Sequence, residues 1–410
     1  MAVRRRARRL FGLWRAERRT LRQGLVALAL STAAAFVAGL TLSGLGATLE
    51  RLPGLLVLIP AAVGMRGTIF GAVGARLGTA THAGTFEANL ARGGVLRQNV
   101  EVSVISTFAS SLWLAALATL IASAFGNSIS FWDMVTISVV GGALSSAIIL
   151  LVTVGLSVLS FRRGYDLDAV STPMVTAIGD MATLPTLFLA TFLTRSDTLN
   201  AVVAGLCLVA CVYAVARGLR DAVPAVRRVL LEMVGVLALA PILDIFAGAL
   251  LEANKGALLR VPGVLILIPP FVSQAGALGG IMSSRLSSKL QLGVITPRGR
   301  PETPAIVDGT LIVVLGAAIF TAIGTAGWGL SELFSQDHPG IVAMIGGTII
   351  AGALVLPITL VLGYYIAILT ARSGLDPDNH GVPIITSSMD LAGVACILFA
   401  MSLLGATVHG

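Results

Sequence analysis

Charge is what this sequence has least of. Asp, Glu, Lys and Arg make up 12% of its 410 residues while hydrophobic types make up 56%, about half the charged share of ordinary globular domains, and the mean hydropathy is +0.93. A soluble chain of this length would form two or three domains, each with a polar surface, and the residues for those surfaces are missing. The three cysteines (Cys207, Cys211, Cys396) all fall in apolar stretches. That gives neither a disulfide framework nor a zinc spacing, so they are expected as small core residues. With four histidines and no His-Glu-x-x-His or Gly-x-Ser-x-Gly pattern, no hydrolase machinery is present, and neither an enzyme nor a resident cofactor is expected. Ten-residue segments of alternating polarity are absent too, which excludes a β-barrel.

What is present is a series of apolar blocks, eleven of them between residues 23 and 407, each long enough to cross about 30 Å of hydrocarbon as a helix. The expected class is an all-α polytopic membrane protein. The formal net charge of +8 raises the question of a nucleic-acid partner, and the positions of the basic residues answer it in favour of topology. With the N-terminus cytoplasmic, 23 of the 28 Lys and Arg lie on the inner side; only Arg51, Arg195, Lys255 and Arg260 lie outside, and Arg66 lies within a span. This is the positive-inside pattern, placing the N-terminus in and the C-terminus out across the cell membrane. Residues 1–22, with nine arginines among apolar and aromatic side chains, read as an interfacial helix on an anionic leaflet. A signal peptide is the alternative, disfavoured because the first apolar block is too long for one.

The sequence also repeats itself. Arg51-Leu-Pro-Gly-Leu-Leu-Val-Leu-Ile-Pro60 returns as Arg260-Val-Pro-Gly-Val-Leu-Ile-Leu-Ile-Pro269, 209 residues on. A second block from Gly164 to Asp180 returns from Gly374 to Asp390, 210 residues on, with Asp166/Asp376, Asp168/Asp378, Pro173/Pro383, Thr176/Thr386 and Asp180/Asp390 in register. Two five-span repeats, 23–196 and 229–410, are expected, joined by a linker (197–228) carrying one span. Six crossings between equivalent positions imply that the repeats insert in the same orientation, about a pseudo-two-fold along the membrane normal.

Asp180 and Asp390 fall near mid-bilayer, where an ionised Asp costs about 2.5–3.5 kcal/mol on insertion scales. Two carboxylates facing a shared axis balance one divalent cation, and Mg²⁺, which keeps several waters when held by one or two carboxylates, suits such a site. Thr176 and Thr386, one helical turn before the acids, can offer hydroxyls to the ion or its waters. The plain alternative is a protonated or interhelically bonded structural Asp. Asp166, Asp168, Asp376 and Asp378 read either as helix N-caps and first-turn acids or as a cation-concentrating vestibule at the inner mouth. Pro60 and Pro269 lie in spans rich in glycine, including Gly67 and Gly276; this predicts helices broken at proline that expose carbonyls to a cavity, or close helix packing. Arg66, Gln274, Glu232 and Asp244 are polar residues without counterparts in the other repeat, which has Ala275, Met65, Gln23 and Ala35 there, and are candidates for contact with a coupling ion or proton.

Taken together, these residues resemble the MgtE-type divalent-cation transporters, and within them the solute-carrier branch in which two MgtE-like membrane units are fused. The resemblance lies in Gly74-Ala-Arg-Leu-Gly-Thr79, in Ser283-Ser-Arg-Leu-Ser-Ser288, and in the proline followed seven residues later by an intramembrane Asp, Pro173 to Asp180 and Pro383 to Asp390. It implies that Asp180 and Asp390 are the central Mg²⁺ ligands, that Mn²⁺, Co²⁺ or Ca²⁺ are further candidate substrates, and that one chain suffices for a pathway. The family's Gly-Asn element is changed here to Gly67-Thr68 and Gly276-Ala277, which leaves Thr68, Gly67, Gly276 and Gln274 as the further candidate metal-site residues on the second helix of each repeat. No large regulatory domain is expected within these 410 residues. An intramembrane aspartyl protease fits poorly, because Asp166 sits at the mouth and no Gly-x-Gly-Asp element exists. A proton- or sodium-coupled carrier of a small organic solute is the remaining alternative.

Overall fold

The computed structural model describes residues 18–91, 93–126, 129–163, 167–220, 223–373 and 381–405, all helices and short connections with no strand among them. The helices are α1 (Arg18–Ser43), α2 (Gly46–Arg51), α3 (Leu55–His82), α4 (Val95–Ala124), α5 (Phe131–Arg163), α6 (Leu167–Thr191), α7 (Asp197–Leu219), α8 (Pro224–Ala253), α9 (Lys255–Arg260), α10 (Pro262–Gln291), α11 (Thr303–Leu333), α12 (Ile341–Ser373) and α13 (Val382–Leu403). Eleven of them, all but α2 and α9, are long and apolar enough to cross a membrane, matching the eleven apolar blocks. A helix satisfies its backbone internally, which hydrocarbon demands of any segment that crosses it. Side chains such as Leu151, Val209 and Val342 are largely exposed, as expected where the solvent is lipid.

The succession α1 to α6 recurs as α8 to α13. The short α2 and α9 are offset by 209 residues and α5 and α12 by 210. These short helices were not legible as separate elements, since six residues are too few to show a periodicity of their own. Neighbours recur as well: α3 packs on α4, α5 and α6 as α10 packs on α11, α12 and α13. The first helix of each set crosses to the other, α1 lying against α10 and α8 against α3. Helix α7 packs on α4 and α5. There Asn200 accepts a hydrogen bond from Thr136 and donates one to Asp133, both at 2.6 Å, and Cys211 meets the Phe108 carbonyl. All three cysteines are free and buried.

The helix exchange rests on two glycines. A β-carbon at Gly39 would overlap the carbonyl of Ile266, and one at Gly248 would overlap the carbonyl of Val57 and lie 2.7 Å from that of Leu56. Residues 39 and 248, like 57 and 266, are 209 apart, so one close approach is made twice with roles exchanged. The crossing falls beside the prolines. Helices α3 and α10 run without a break through Pro60 and through Pro269 and Pro270, so of the two expectations the broken helix is not met. Each proline still lacks an N–H, so Leu56, Leu265 and Ile266 lose the hydrogen-bond partner four residues on. Leu56 and Ile266 are among the carbonyls that the crossing glycines cover, where Cα–H groups can partly compensate them.

Candidate cation site

Asp180 lies on α6 and is buried. It accepts a hydrogen bond from the Ser273 hydroxyl of α10 at 2.9 Å, reaching across from the first set of helices to the second. Asp390, on α13, is half-buried and reaches the other way: a β-carbon on Gly64 of α3 would lie 3.5 Å from its Oδ2. Residues 64 and 273 are 209 apart, so each acid meets the same position of the opposite proline helix.

Around this reciprocal pair the two sides differ. Next to Asp390 lies Asp244 of α8, 1% exposed, with Ser387 of α13 beside it. Its Oδ2 comes within 2.8 Å of where a Gly64 β-carbon would stand. The equivalents beside Asp180 are Ala35, fully buried, and Ala177, with the Ser273 hydroxyl in place of the open glycine. Among the described residues no three acidic, His or Cys side chains are grouped tightly enough to ligate one bare metal ion together. An arrangement of carboxylates spread around a common space suits a cation that keeps part of its water shell.

Of the remaining expected residues, Thr386 is half-buried and its hydroxyl donates to the Pro383 carbonyl at 2.9 Å, while its methyl packs on Gly276. That hydroxyl keeps its lone pairs but has spent its proton. Thr68 likewise donates to the Gly64 carbonyl at 3.1 Å, and Gly67 has no described neighbour within 4 Å of an added β-carbon. Gln274 is fully buried and donates to Ser31 of α1 at 2.8 Å, leaving its carbonyl oxygen unpartnered. The side chains of Thr176 and Asp168, and all of Asp166, Asp376 and Asp378, lie outside the described residues, as do residues 1–17 of the basic leader.

The other unmatched polar residues lie elsewhere. Glu232 pairs with Arg228 at 2.7 Å on an exposed face of α8. Arg66 points away from the acids into the contact of α3 with α4 and α5, bonding Ser111 and Ser145. A buried network unmarked in the sequence joins Asp308 of α11 to Arg285 at 2.8 Å and Lys289 at 2.5 Å; its counterpart pairs Arg76 with Asn99 at 2.7 Å.

This geometry has a family behind it. Residues 59–190 and 268–400 each match the MgtE family, described as divalent cation transporters. The chain belongs to the MgtE family. The double match reproduces the internal duplication, each copy running from the proline helix to the helix of the intramembrane Asp. The chain is 24% identical to mouse solute carrier family 41 member 3, over 84% of its own length and 74% of that protein. It is 23% identical to human solute carrier family 41 member 2, over 85% of its own length and 64% of that protein. No solved structure matches. MgtE membership makes this a multi-pass membrane protein of a divalent-cation transporter family.

Proposed function

We propose that this protein carries Mg²⁺ across the cell membrane through a pathway between two parallel repeats, 23–196 and 229–410, with Asp180 and Asp390 at its centre. The observation that carries the reading is the reciprocity of the acids: Asp180 meets Ser273 and Asp390 meets Gly64, the same contact made twice across the boundary between the repeats. A two-fold axis along the membrane normal produces such pairs, and an ion on that axis meets both carboxylates. The glycine crossings at Gly39 and Gly248 support the same axis. Mg²⁺ is favoured over softer metals because the polar groups nearby are all oxygen donors and are set apart, as a partly hydrated hard cation requires. Thr176 and Thr386 then serve the waters of the ion, and Asp166, Asp168, Asp376 and Asp378 draw cations to the inner mouth. The N-terminus is cytoplasmic, the C-terminus external, and one chain contains the whole pathway.

Radiotracer and fluorescent-indicator uptake into vesicles reconstituted with the purified protein tests this. Mg²⁺, Mn²⁺, Co²⁺ and Ca²⁺ are compared with a set of small organic solutes under imposed proton and sodium gradients. Mg²⁺ uptake above that of empty vesicles is expected. Uptake confined to an organic solute would replace the proposal with the coupled-carrier reading.

A further inference from the structure

The acid beside Asp390 has no role in a site made only of the two symmetric carboxylates. Asp244 is almost completely buried, and its Oδ1 has no hydrogen-bond partner. The large majority of buried polar atoms have a hydrogen-bond partner, because an unmade bond in an apolar setting is costly. Packing does not call for it either. The equivalent position in the other repeat is Ala35, equally buried, at the same stage of a helix that makes the same glycine crossing. The position opposite has changed in concert: Gly64 leaves room for the carboxylate, where its equivalent, Ser273, fills that room with a hydroxyl. Two carboxyl groups in contact repel one another unless a proton or a cation lies between them. With Asp244 Oδ2 and Asp390 Oδ2 both close to Gly64 and Asp244 Oδ1 without a partner, the group is set to take a positive ligand.

We infer that Asp244 is a third carboxylate of the cation site, contributing an oxygen to a hydrated divalent cation or to its water shell on the Asp390 side alone. This rests on the reading of Asp180 and Asp390 as the central ligands and makes the site lopsided, two carboxylates on one side of the axis and one carboxylate with a serine hydroxyl on the other. The third negative charge raises the preference for a doubly charged cation over Na⁺ or K⁺, because attraction to a fixed cluster of charge scales with the charge of the ion. The groups facing Asp244 from the packed helices are Asp390 and Ser387 of α13 and the backbone at Gly64 of α3.

The test is Mg²⁺ binding to the full chain in lipid nanodiscs by titration calorimetry, with the melting temperature recorded in parallel, for Asp244→Asn, Asp244→Ala and Asp390→Asn. The alanine variant copies the other repeat and is expected to fold. Both Asp244 variants should bind Mg²⁺ at least tenfold more weakly than the parent, with competition by Na⁺ increased and melting without cation unchanged or raised. If both bind Mg²⁺ within twofold of the parent while Asp390→Asn loses binding, Asp244 is not a ligand and the two-acid site stands. Normal binding by Asp390→Asn as well would remove the site reading itself.

Discussion

Arg66 shows how residues in equivalent places take opposite routes to the same packing. It is 1% exposed, bonds the hydroxyls of Ser111 and Ser145, and leaves Nη1 without a partner. In the other repeat the corresponding positions are Ala275, Phe320 and Val355, and the ring of Phe320 fills the space against Gly352 that Arg66 fills against Gly142. The fold therefore works with an apolar plug. A buried charge that lacks an acid is a net cost, and apolar replacements of buried ionic groups are often neutral or stabilising by about 1–4 kcal/mol. Arg66→Met is expected to melt at or above the temperature of the parent in detergent, and a clear drop would mean that the guanidinium holds α3 to α4 and α5. Asp308 is the reverse case. It is fully buried and answers two cations, Arg285 and Lys289, where the other repeat needs only Asn99 for Arg76 because Ala80 replaces the lysine. Asp308→Asn should cost on the order of 1–3 kcal/mol, reduced by the partial exposure of both cations. Adding Lys289→Ala should restore much of the loss, and thermal melts of the single and double variants measure it.

At the level of elements, the crossings of α1 over α10 and of α8 over α3 depend on backbone meeting backbone. Gly39→Val or Gly248→Val forces a branched side chain into a carbonyl that its helix cannot withdraw. Overpacking costs typically about 1–3 kcal/mol and more where backbone is the obstacle, so both variants should melt lower and carry less Mg²⁺. Equal effects at the two glycines are expected from their reciprocal geometry, and a silent change at one of them would break the equivalence. The sequence disclosed the spans because 20 or more apolar residues in a row leave few other structures. It disclosed the proline and glycine pattern too, but left it open between a break in the helix and close helix packing. The covering of Leu56 and Ile266 by the crossing helix is a contact between distant segments, and no local pattern records it.

For the whole molecule, the repeat fixed which residues are equivalent without telling which face which. Alignment puts Gly64 opposite Ser273 as counterparts; that each faces the acid of the other repeat emerges only when α1 and α8 exchange places. For the same reason Asp244 stood out in the sequence as an unmatched acid but could not be joined to Asp390. Asp308 drew no attention because its counterpart is Asn99, a polar residue in a polar position. Parallel repeats carry a prediction of their own. With the native cysteines replaced, single cysteines at Ser130 and Ser335 should react with an impermeant thiol reagent added outside, and those at Ala91 and Thr296 should react only after permeabilisation. Opposite sidedness of Ser130 and Ser335 would mean inverted repeats.

The central claim is that Asp180 and Asp390 are one cation site. Asn at either position keeps the size and the hydrogen bonding and removes the charge, so a structural acid would tolerate it. The decisive measurement is Mg²⁺ flux into reconstituted vesicles for Asp180→Asn, Asp390→Asn and the double variant at matched protein density. Each single variant should insert normally and lose most of the flux, with the double little worse than the worse single, because groups acting as a unit are not additive. Flux near that of the parent in either single variant would contradict the shared site.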